Sequence, residues 1–202
     1  MHQLIGRAAA EELDKRFASL QPVRTKDGEG IHDWERDAAG TPLTHARRIA
    51  LPDKQGNIPD LTRANFKDQI DLAALMRGEK RYIWAVGALG RVFVGEEVPL
   101  GTDPSTGKER YLGHPTLVGG GPARICGDIS YDAATGEFEV CDKSGRYSRY
   151  EDRTELHLIE VARLFAQAGL RVRTSCVSGK APEPLILPTL DPGFKRGDES
   201  SV

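Results

Sequence analysis

Residues 111–147, YLGHPTLVGGGPARICGDISYDAATGEFEVCDKSGRY, decide the fold that we expect for this chain. Two runs rich in β-forming residues, ARICGDISY and EFEVCD, flank a polar segment at residues 132–136, and this order predicts a β-hairpin. A histidine beside a run of glycines precedes the hairpin, and Ser-Gly-Arg-Tyr follows it. The stretch therefore predicts a β-hairpin, and it also contains the residues whose presence is least explained by packing alone.

The segments on either side extend this pattern. Residues 81–98, RYIWAVGALGRVFVGEEV, predict an earlier hairpin that turns at residues 87–90, and residues 170–177 predict a last strand. Between the hairpins, GTDPSTGKER at residues 101–110 predicts a surface loop. Its Gly-Lys pair lacks the upstream glycine of a phosphate-binding P-loop, so that function is excluded.

Three helices are predicted, at residues 4–20, at residues 60–78, and from a cap at Asp152 to a stop at Gly169. The first carries a stripe of Leu13, Phe17 and Leu20, with Pro22 ending it; the last has the widest apolar face, with Leu158, Val161, Ala162 and Phe165. This order of elements is typical of an α+β domain with a mainly antiparallel sheet of two hairpins plus a last strand, packed by helices.

The chain divides by composition into three expected parts. Residues 1–58 predict a helical and loop-like N-terminal extension, in which Trp34 is the expected anchor. Residues 59–178 hold the predicted α+β core domain. Residues 179–202 predict a tail, rich in proline and then in charge, that lies on the surface or is disordered.

Composition favours a folded, soluble protein. Of 202 residues, 39% are hydrophobic and 29% are charged, and the net charge of -2 makes nucleic acid an unlikely partner. No apolar run approaches the roughly 18–20 residues that span a bilayer. Early charges in MHQLIGRAAAEELDKRF argue against a signal peptide, so we expect synthesis in the cytoplasm. Delivery of the protein to another compartment by a dedicated secretion machine is also compatible with the sequence, because such delivery leaves no recognisable signal in it.

The three cysteines form neither a CxxC pair nor a Cys/His cluster with metal-ligand spacing, so no metal is expected. Cys126 and Cys141 stand on the two strands of the second predicted hairpin, where a disulfide is conceivable. Buried free thiols are the favoured alternative.

His114 is the first candidate site residue. Gly113 and Pro115 constrain its backbone, and its imidazole could serve as acid, base or hydrogen-bond donor. The alternative is a histidine that fixes its loop through a backbone carbonyl. The following glycines, Gly119 and Gly120, could bring backbone N–H groups close to a ligand such as phosphate, or could simply form a turn.

The Ser-Gly-Arg-Tyr segment is the second candidate. Tyr147 could stack on a planar ligand and Arg146 could pair with phosphate or carboxylate. A turn in which Ser144 bonds to the backbone and Tyr147 packs beneath the helix is the alternative. Ser144 also suggests a hydrolase triad with His114, although no Gly-x-Ser-x-Gly motif is present. Asp128 is expected to face Glu137 across the hairpin, either as a carboxylate pair or as solvated charges.

Residues 80–170 resemble a domain of plant IQ-motif calmodulin-binding proteins and of bacterial and fungal relatives. That family has a His-Ser-Ser-Phe-Leu-x-Gly-Gly segment, an Ala-Gly strand and a Ser-Gly-His-Tyr-x-Pro segment before a helix; here GHPTLVGG, ICG and SGRY stand in their places. The positions that match the family motifs are His114, Gly119, Gly120, Gly127, Ser144, Gly145 and Tyr147.

This sequence also departs from the family. Pro115 and Thr116 replace the two serines, and Arg146 replaces the second histidine. No proline follows Tyr147, and the IQ motif is absent, so the resemblance does not imply calmodulin binding.

A histidine on an early strand and a tyrosine about thirty residues later also resemble one branch of the ADP-ribosyltransferases. The resemblance implies an effector or toxin of bacterial type that uses NAD as cofactor, with His114 on the nicotinamide ribose and Tyr147 stacked on the nicotinamide. We predict His114, Tyr147 and Ser144 as catalytic residues. The predicted ligand-binding residues are Thr116, Gly119, Gly120 and Arg146. The expected partner is an immunity protein or a host target.

Two other functions remain open. The glutamate that this branch needs on a late strand is missing from RVRTSCV, which favours a non-catalytic protein- or ligand-binding module of the same fold. A small ribonuclease-type toxin that uses His114 with Arg146 ranks third, because the balanced charge gives little attraction to a phosphate backbone.

Overall fold

The computed structural model describes residues 7–24, 30–51, 70–175 and 186–187. Its nine strands are β1 (Ile49–Ala50), β2 (Tyr82–Val86), β3 (Val92–Glu96), β4 (Pro99–Thr102), β5 (Glu109–Tyr111), β6 (Cys126–Asp132), β7 (Glu137–Cys141), β8 (Val172–Ser175) and β9 (Ile186–Leu187). Its four α-helices are α1 (Arg7–Phe17), α2 (Leu72–Met76), α3 (His114–Leu117) and α4 (Glu155–Gln167), and a 3-10 turn spans Asp33–Glu35.

Within the described residues, seven strands form one sheet in the order β1-β3-β2-β6-β7-β8-β9. Both predicted hairpins are confirmed, as β2–β3 and as β6–β7, and antiparallel pairing of β2 with β6 joins them. The predicted last strand is β8, and it pairs parallel to β7 through a crossover that contains α4. The α+β class with a mainly antiparallel sheet is therefore confirmed.

One face of the sheet carries the main core. Alternate residues of the central strands point to this face, because side chains alternate along a strand. Trp84 on β2 and Val140 on β7 are wholly buried there, together with Phe165 of α4 and Phe17 of α1. Helices α1 and α4 thus cover this face, and their apolar stripes account for the covering.

The opposite face has a smaller apolar core and a polar part. The apolar part is formed by Ile83, Ala85, Leu117, Ala123, Cys126 and Tyr147. Further along β6, Asp128 and Ser130 share this face with the side chains opposite them on β7, Cys141 and Glu139. The sheet therefore changes from an apolar to a polar surface within the length of one strand.

The ends of two helices differ from the prediction. Helix α1 ends at Phe17 rather than at residue 20, because Ala18 has a φ of 66°, in the left-handed region where a helix cannot continue. The cap of α4 is Thr154 rather than Asp152. The Asp152 carboxylate instead accepts the Ser19 N–H at 2.9 Å.

The second predicted helix is short in its described part. Residues 60–69, with the expected cap Asp60, lie outside the described residues. Helix α2 is capped by Asp71, whose carboxylate accepts the Ala74 N–H at 2.9 Å. Gly78 ends this segment with a φ of 72°, as the sequence predicts.

The prediction of a plain surface loop at residues 101–110 is wrong at both ends. Strands β4 and β5 pair there as a separate two-stranded hairpin. Its turn is held by Asp103, whose carboxylate accepts N–H groups from Ser105 at 2.8 Å and Thr106 at 3.2 Å. The Ser105 hydroxyl, which donates to the same carboxylate at 2.6 Å, contributes most to holding the pKa of Asp103 well below its usual range, followed by the Ser105 N–H and by Arg110.

The described residues of the first 51 positions pack closely on the rest of the structure. Arg124, 2% exposed, donates from Nη1 to the Ala18 carbonyl at 2.7 Å and pairs with Asp14 of α1. Trp34 anchors the following segment by donating to the Tyr111 carbonyl at 3.2 Å, which agrees with its predicted role. The tail, apart from β9, lies outside the described residues.

We expect Arg124→Ala to lower the free energy of unfolding by about 2–3 kcal/mol, because it leaves the Ala18 carbonyl without its buried partner. Urea denaturation followed by circular dichroism measures the change. The matched control is Arg91→Ala on an exposed side chain, for which the change should stay within about 0.5 kcal/mol. Equal effects of the two substitutions would contradict this anchoring role of Arg124.

Candidate functional site

His114 is the first residue of α3, and its expected place on an early strand is wrong. Gly113 is the N-cap and Pro115 follows in the first turn, where its missing N–H costs no helix hydrogen bond. The Thr116 hydroxyl donates to the Gly113 carbonyl at 2.8 Å and closes this turn. Thr116 is 1% exposed, so its side chain supports the helix rather than facing solvent.

The His114 imidazole joins α3 to β6. Its Nε2 lies 3.0 Å from the Gly127 carbonyl oxygen and 3.6 Å from Asp128 Oδ1. Because a carbonyl oxygen only accepts hydrogen bonds, Nε2 carries the hydrogen. His114 is only 8% exposed, and its hydrogen bond to the Gly127 carbonyl fixes the orientation of the ring.

Gly119 and Gly120 end α3 in the left-handed region, with φ of 61° and 73°. A Cβ added at Gly120 would lie 2.3 Å from Pro42 Cβ, and one added at Gly119 would lie 3.0 Å from Thr44 Oγ1. Glycine is therefore required here for both backbone conformation and close packing. The surface that these glycines contact belongs to residues 30–46, which we call the strap.

The strap is fastened by Glu35, a residue that the sequence did not single out. Its carboxylate is wholly buried, accepts the Gly113 N–H at 3.0 Å and pairs with the Arg146 guanidinium. Its second oxygen also accepts the His32 N–H at 3.0 Å. A cation and two N–H groups thus surround one buried carboxylate, which satisfies its need for hydrogen bonds.

Tyr147 is wholly buried, and its hydroxyl donates to the Gly121 carbonyl at 2.8 Å. Burial raises the pKa of this phenol far above its usual value. In the described structure the ring packs against the apolar core of the second face and is not open to a stacking ligand.

Ser144 forms no side-chain hydrogen bond to the described residues. It is 6% exposed, and its Oγ is buried without a hydrogen-bond partner in the part of the chain that the structure describes. Ser144 and His114 are therefore not hydrogen-bonded, and His114 instead faces Asp128. The geometry does not assemble the hydrolase triad.

The structure does bring the two ends of the opening stretch together. Arg146 Nη2 lies so close to Gly113 that a Cβ there would be 1.9 Å away, and Tyr147 reaches Gly121. The strap covers this junction through Glu35 and Pro42. Neither of the two cavities described below is lined by His114, Arg146 or Tyr147.

Two cavities in the described part of the chain lie elsewhere on the sheet. One, of about 550 Å³, opens over the polar part of the second face and includes Asp128, Ser130 and Lys143. The other, of about 450 Å³, lies beside His45 and Glu96. We call the first the Asp128 cavity.

The expected pairing of Asp128 with Glu137 is wrong. In the β6–β7 register, Asp128 stands opposite Cys141, and Glu137 stands opposite Asp132. Glu137 is buried and pairs with Arg171 at 3.0 Å. The turn of the hairpin sets this register. A slip of one residue would move every side chain of the strand to the opposite face of the sheet.

Cys126 and Cys141 are free thiols. Burial raises the pKa of both, and that of Cys126 most. Among the described residues, no group of three or more His, Cys, Asp or Glu side chains is arranged to hold a metal ion. Within the same residues, no helix has both the length and the apolar character needed to cross a bilayer.

Comparisons of this chain with protein-family models, with curated proteins and with solved structures find no match. The resemblance of residues 80–170 to the IQ-motif family therefore stays a prediction. So do the roles that it implies for the residues described above.

We expect Glu35→Ala to lower the free energy of unfolding by about 3–5 kcal/mol, because it removes the ionic partner of the Arg146 guanidinium, whose side chain is only 15% exposed. The double variant with Arg146→Met should recover part of this loss, since it removes the stranded charge. Urea denaturation of both variants measures the coupling. Asp33→Asn, at an exposed acid in the same turn, is the control and should change stability little.

The raised pKa of Cys126 predicts a pH dependence of stability. Above about pH 8.5 an unfolded chain releases the thiol proton, whereas the folded chain keeps it, so stability falls as pH rises. The slope should reach about 1.4 kcal/mol per pH unit for this group. Urea denaturation between about pH 8 and pH 10 should give a shallower slope for Cys126→Ala. Parallel slopes in the two proteins would refute it.

Proposed function

We propose that this chain is a non-catalytic binding module. The observation that supports this most is that the candidate catalytic side chains are engaged in bonds within the protein. His114, Arg146 and Tyr147 each bond to a group of the chain itself, and their side chains are buried or nearly so. A catalytic group must reach its substrate in a shared cavity.

The hydrogen-bond donors favour the same conclusion. His114 Nε2–H donates to the Gly127 carbonyl, and the Tyr147 hydroxyl donates to the Gly121 carbonyl. Two anion-binding groups, the Arg146 guanidinium and the Gly113 N–H, are occupied by Glu35. These bonds hold α3, the glycine turn and the Ser-Gly-Arg-Tyr segment in one rigid unit, as a binding scaffold requires.

An NAD-using ADP-ribosyltransferase is the second candidate, favoured by the meeting of residues 113–121 with Arg146 and Tyr147. Such an enzyme would require the strap to leave this junction. It would also require a carboxylate near the oxocarbenium-like transition state, and β8 supplies only Val172, Arg173, Thr174 and Ser175.

Incubation of the full chain with NAD separates these two functions. We expect no release of nicotinamide above the buffer blank, measured by chromatography, because His114 and Tyr147 are bonded internally. Glu35→Gln is included because it weakens the strap and would expose a hidden active site. Release of nicotinamide by either protein, abolished by His114→Ala, would overturn the binding module and favour the transferase.

A further inference from the structure

The Asp128 cavity has a polar floor made by three neighbouring strands. Asp128, Cys141 and Ser175 stand side by side across β6, β7 and β8, and all three line the cavity. Ser130 and Glu139 form the next row along the same face. Neighbouring strands are about 4.8 Å apart, so the first row spans about 10 Å. This floor suits a small ligand rather than a polymer.

Most of the charged side chains around this cavity already have partners. The ion pairs are Arg77–Glu79 at 2.6 Å, Lys80–Glu96 at 3.1 Å, Arg81–Glu97 at 3.2 Å and Arg173–Glu139 at 2.6 Å. Each pair neutralises its own charges and leaves little attraction for a ligand.

Two opposite charges in the cavity differ from these pairs. Lys143 is exposed and makes no ion pair with any described residue. The side chain of Asp128 is partly exposed, and the His114 ring, at 3.6 Å, is its one ionic neighbour among the described residues. The Nε2–H of that ring donates to the Gly127 carbonyl. Within the part of the chain that the structure describes, the cavity therefore presents an ammonium without an ion pair and a carboxylate without a fixed cation.

We infer that the Asp128 cavity binds a small zwitterion of amino-acid type. Its ammonium group would pair with Asp128 and its carboxylate with Lys143, while the hydroxyls of Ser130 and Ser175 supply hydrogen bonds. The volume of about 550 Å³ lies within the range of small-molecule sites. This inference rests on the proposed binding function and gives it a site and a ligand class.

The two charges also exclude simpler ligands. A simple anion would pair with Lys143 but would be repelled by Asp128. A simple cation would pair with Asp128 but would be repelled by Lys143. Specificity here comes from the unfavourable charge as much as from the favourable one.

Trp84 provides a reporter for this site. Its side chain is wholly buried on the other face of the sheet, and its Nε1 donates to the Asp128 carbonyl at 3.0 Å. A ligand that shifts Asp128 should change the emission of Trp84. Trp34, the second of the two tryptophans, is replaced by Phe to isolate this signal.

The test is calorimetric titration of the full chain with glycine, β-alanine, γ-aminobutyrate and ε-aminocaproate, a series that increases the separation of the two charges. We expect one length to bind best and to change Trp84 emission. Butyrate and butylamine, which each carry one of the charges, should bind at least about 10-fold more weakly, a loss of about 1.4 kcal/mol.

Variants locate the site. Asp128→Asn and Lys143→Met should each weaken binding of the best zwitterion about 10-fold or more. Glu151→Gln and Lys108→Met, at exposed positions outside the cavity, are the matched controls and should leave the affinity unchanged. Circular dichroism checks that every variant is folded.

Two outcomes would overturn the inference. The first is that no member of the series binds, and the second is that binding is insensitive to both Asp128→Asn and Lys143→Met. Either result without NAD cleavage rejects this cavity and leaves the binding module in place. Cleavage of NAD would reject the module itself, so the two failures are distinguishable.

Discussion

The buried pair of Glu35 and Arg146 is the interaction on which the architecture of the second face depends. Transfer of a carboxylate to a protein interior costs several kcal/mol, and the cost is offset only when its oxygens find cations and donors. Here Arg146 and the N–H groups of His32 and Gly113 provide them. One side chain thereby joins three segments, the strap, the start of α3 and the Ser-Gly-Arg-Tyr turn.

The polar residues of the second face fall into two groups, those that bond to one another and stabilise the fold and those that line a cavity where a ligand can bind. Polar groups near α3 are satisfied by one another, as His114 is by Gly127 and Tyr147 by Gly121. Polar groups further along β6 and β7 face an open cavity instead. The residues with the most suggestive motifs are thus structural, while the less conspicuous Asp128 and Lys143 carry the chemistry proposed for the molecule.

Both hairpins and the last helix could be predicted from sequence, because their patterns are local. Residues that alternate along β2, β3, β6 and β7 face each other across short turns, and Leu158 and Phe165 mark one side of α4. The positions of helix ends were less predictable, since Asp152 and Thr154 are both good caps and a distant contact with Ser19 decides between them.

The candidate site was predicted only in part, for a related reason. His114, Arg146 and Tyr147 could be singled out from their motifs, but the contact between their segments is made through Glu35, which lies 111 residues before Arg146 in a stretch with a loop-like composition. No periodicity reveals a contact at that separation. The polar face with Asp128 and Ser130 did leave a signal, the alternation of polar residues along β6, which is visible once the strand register is known.

The parallel pairing of β7 with β8 bears on how the chain folds. Antiparallel hairpins close over a few residues, whereas β8 reaches β7 only after the chain has passed through α4. Closing that longer loop costs more entropy before any contact forms, so such pairings are slow. We expect the β2–β3 and β6–β7 hairpins to assemble early and Ser175 to take its place beside Cys141 late. The floor of the Asp128 cavity is then completed near the end of folding.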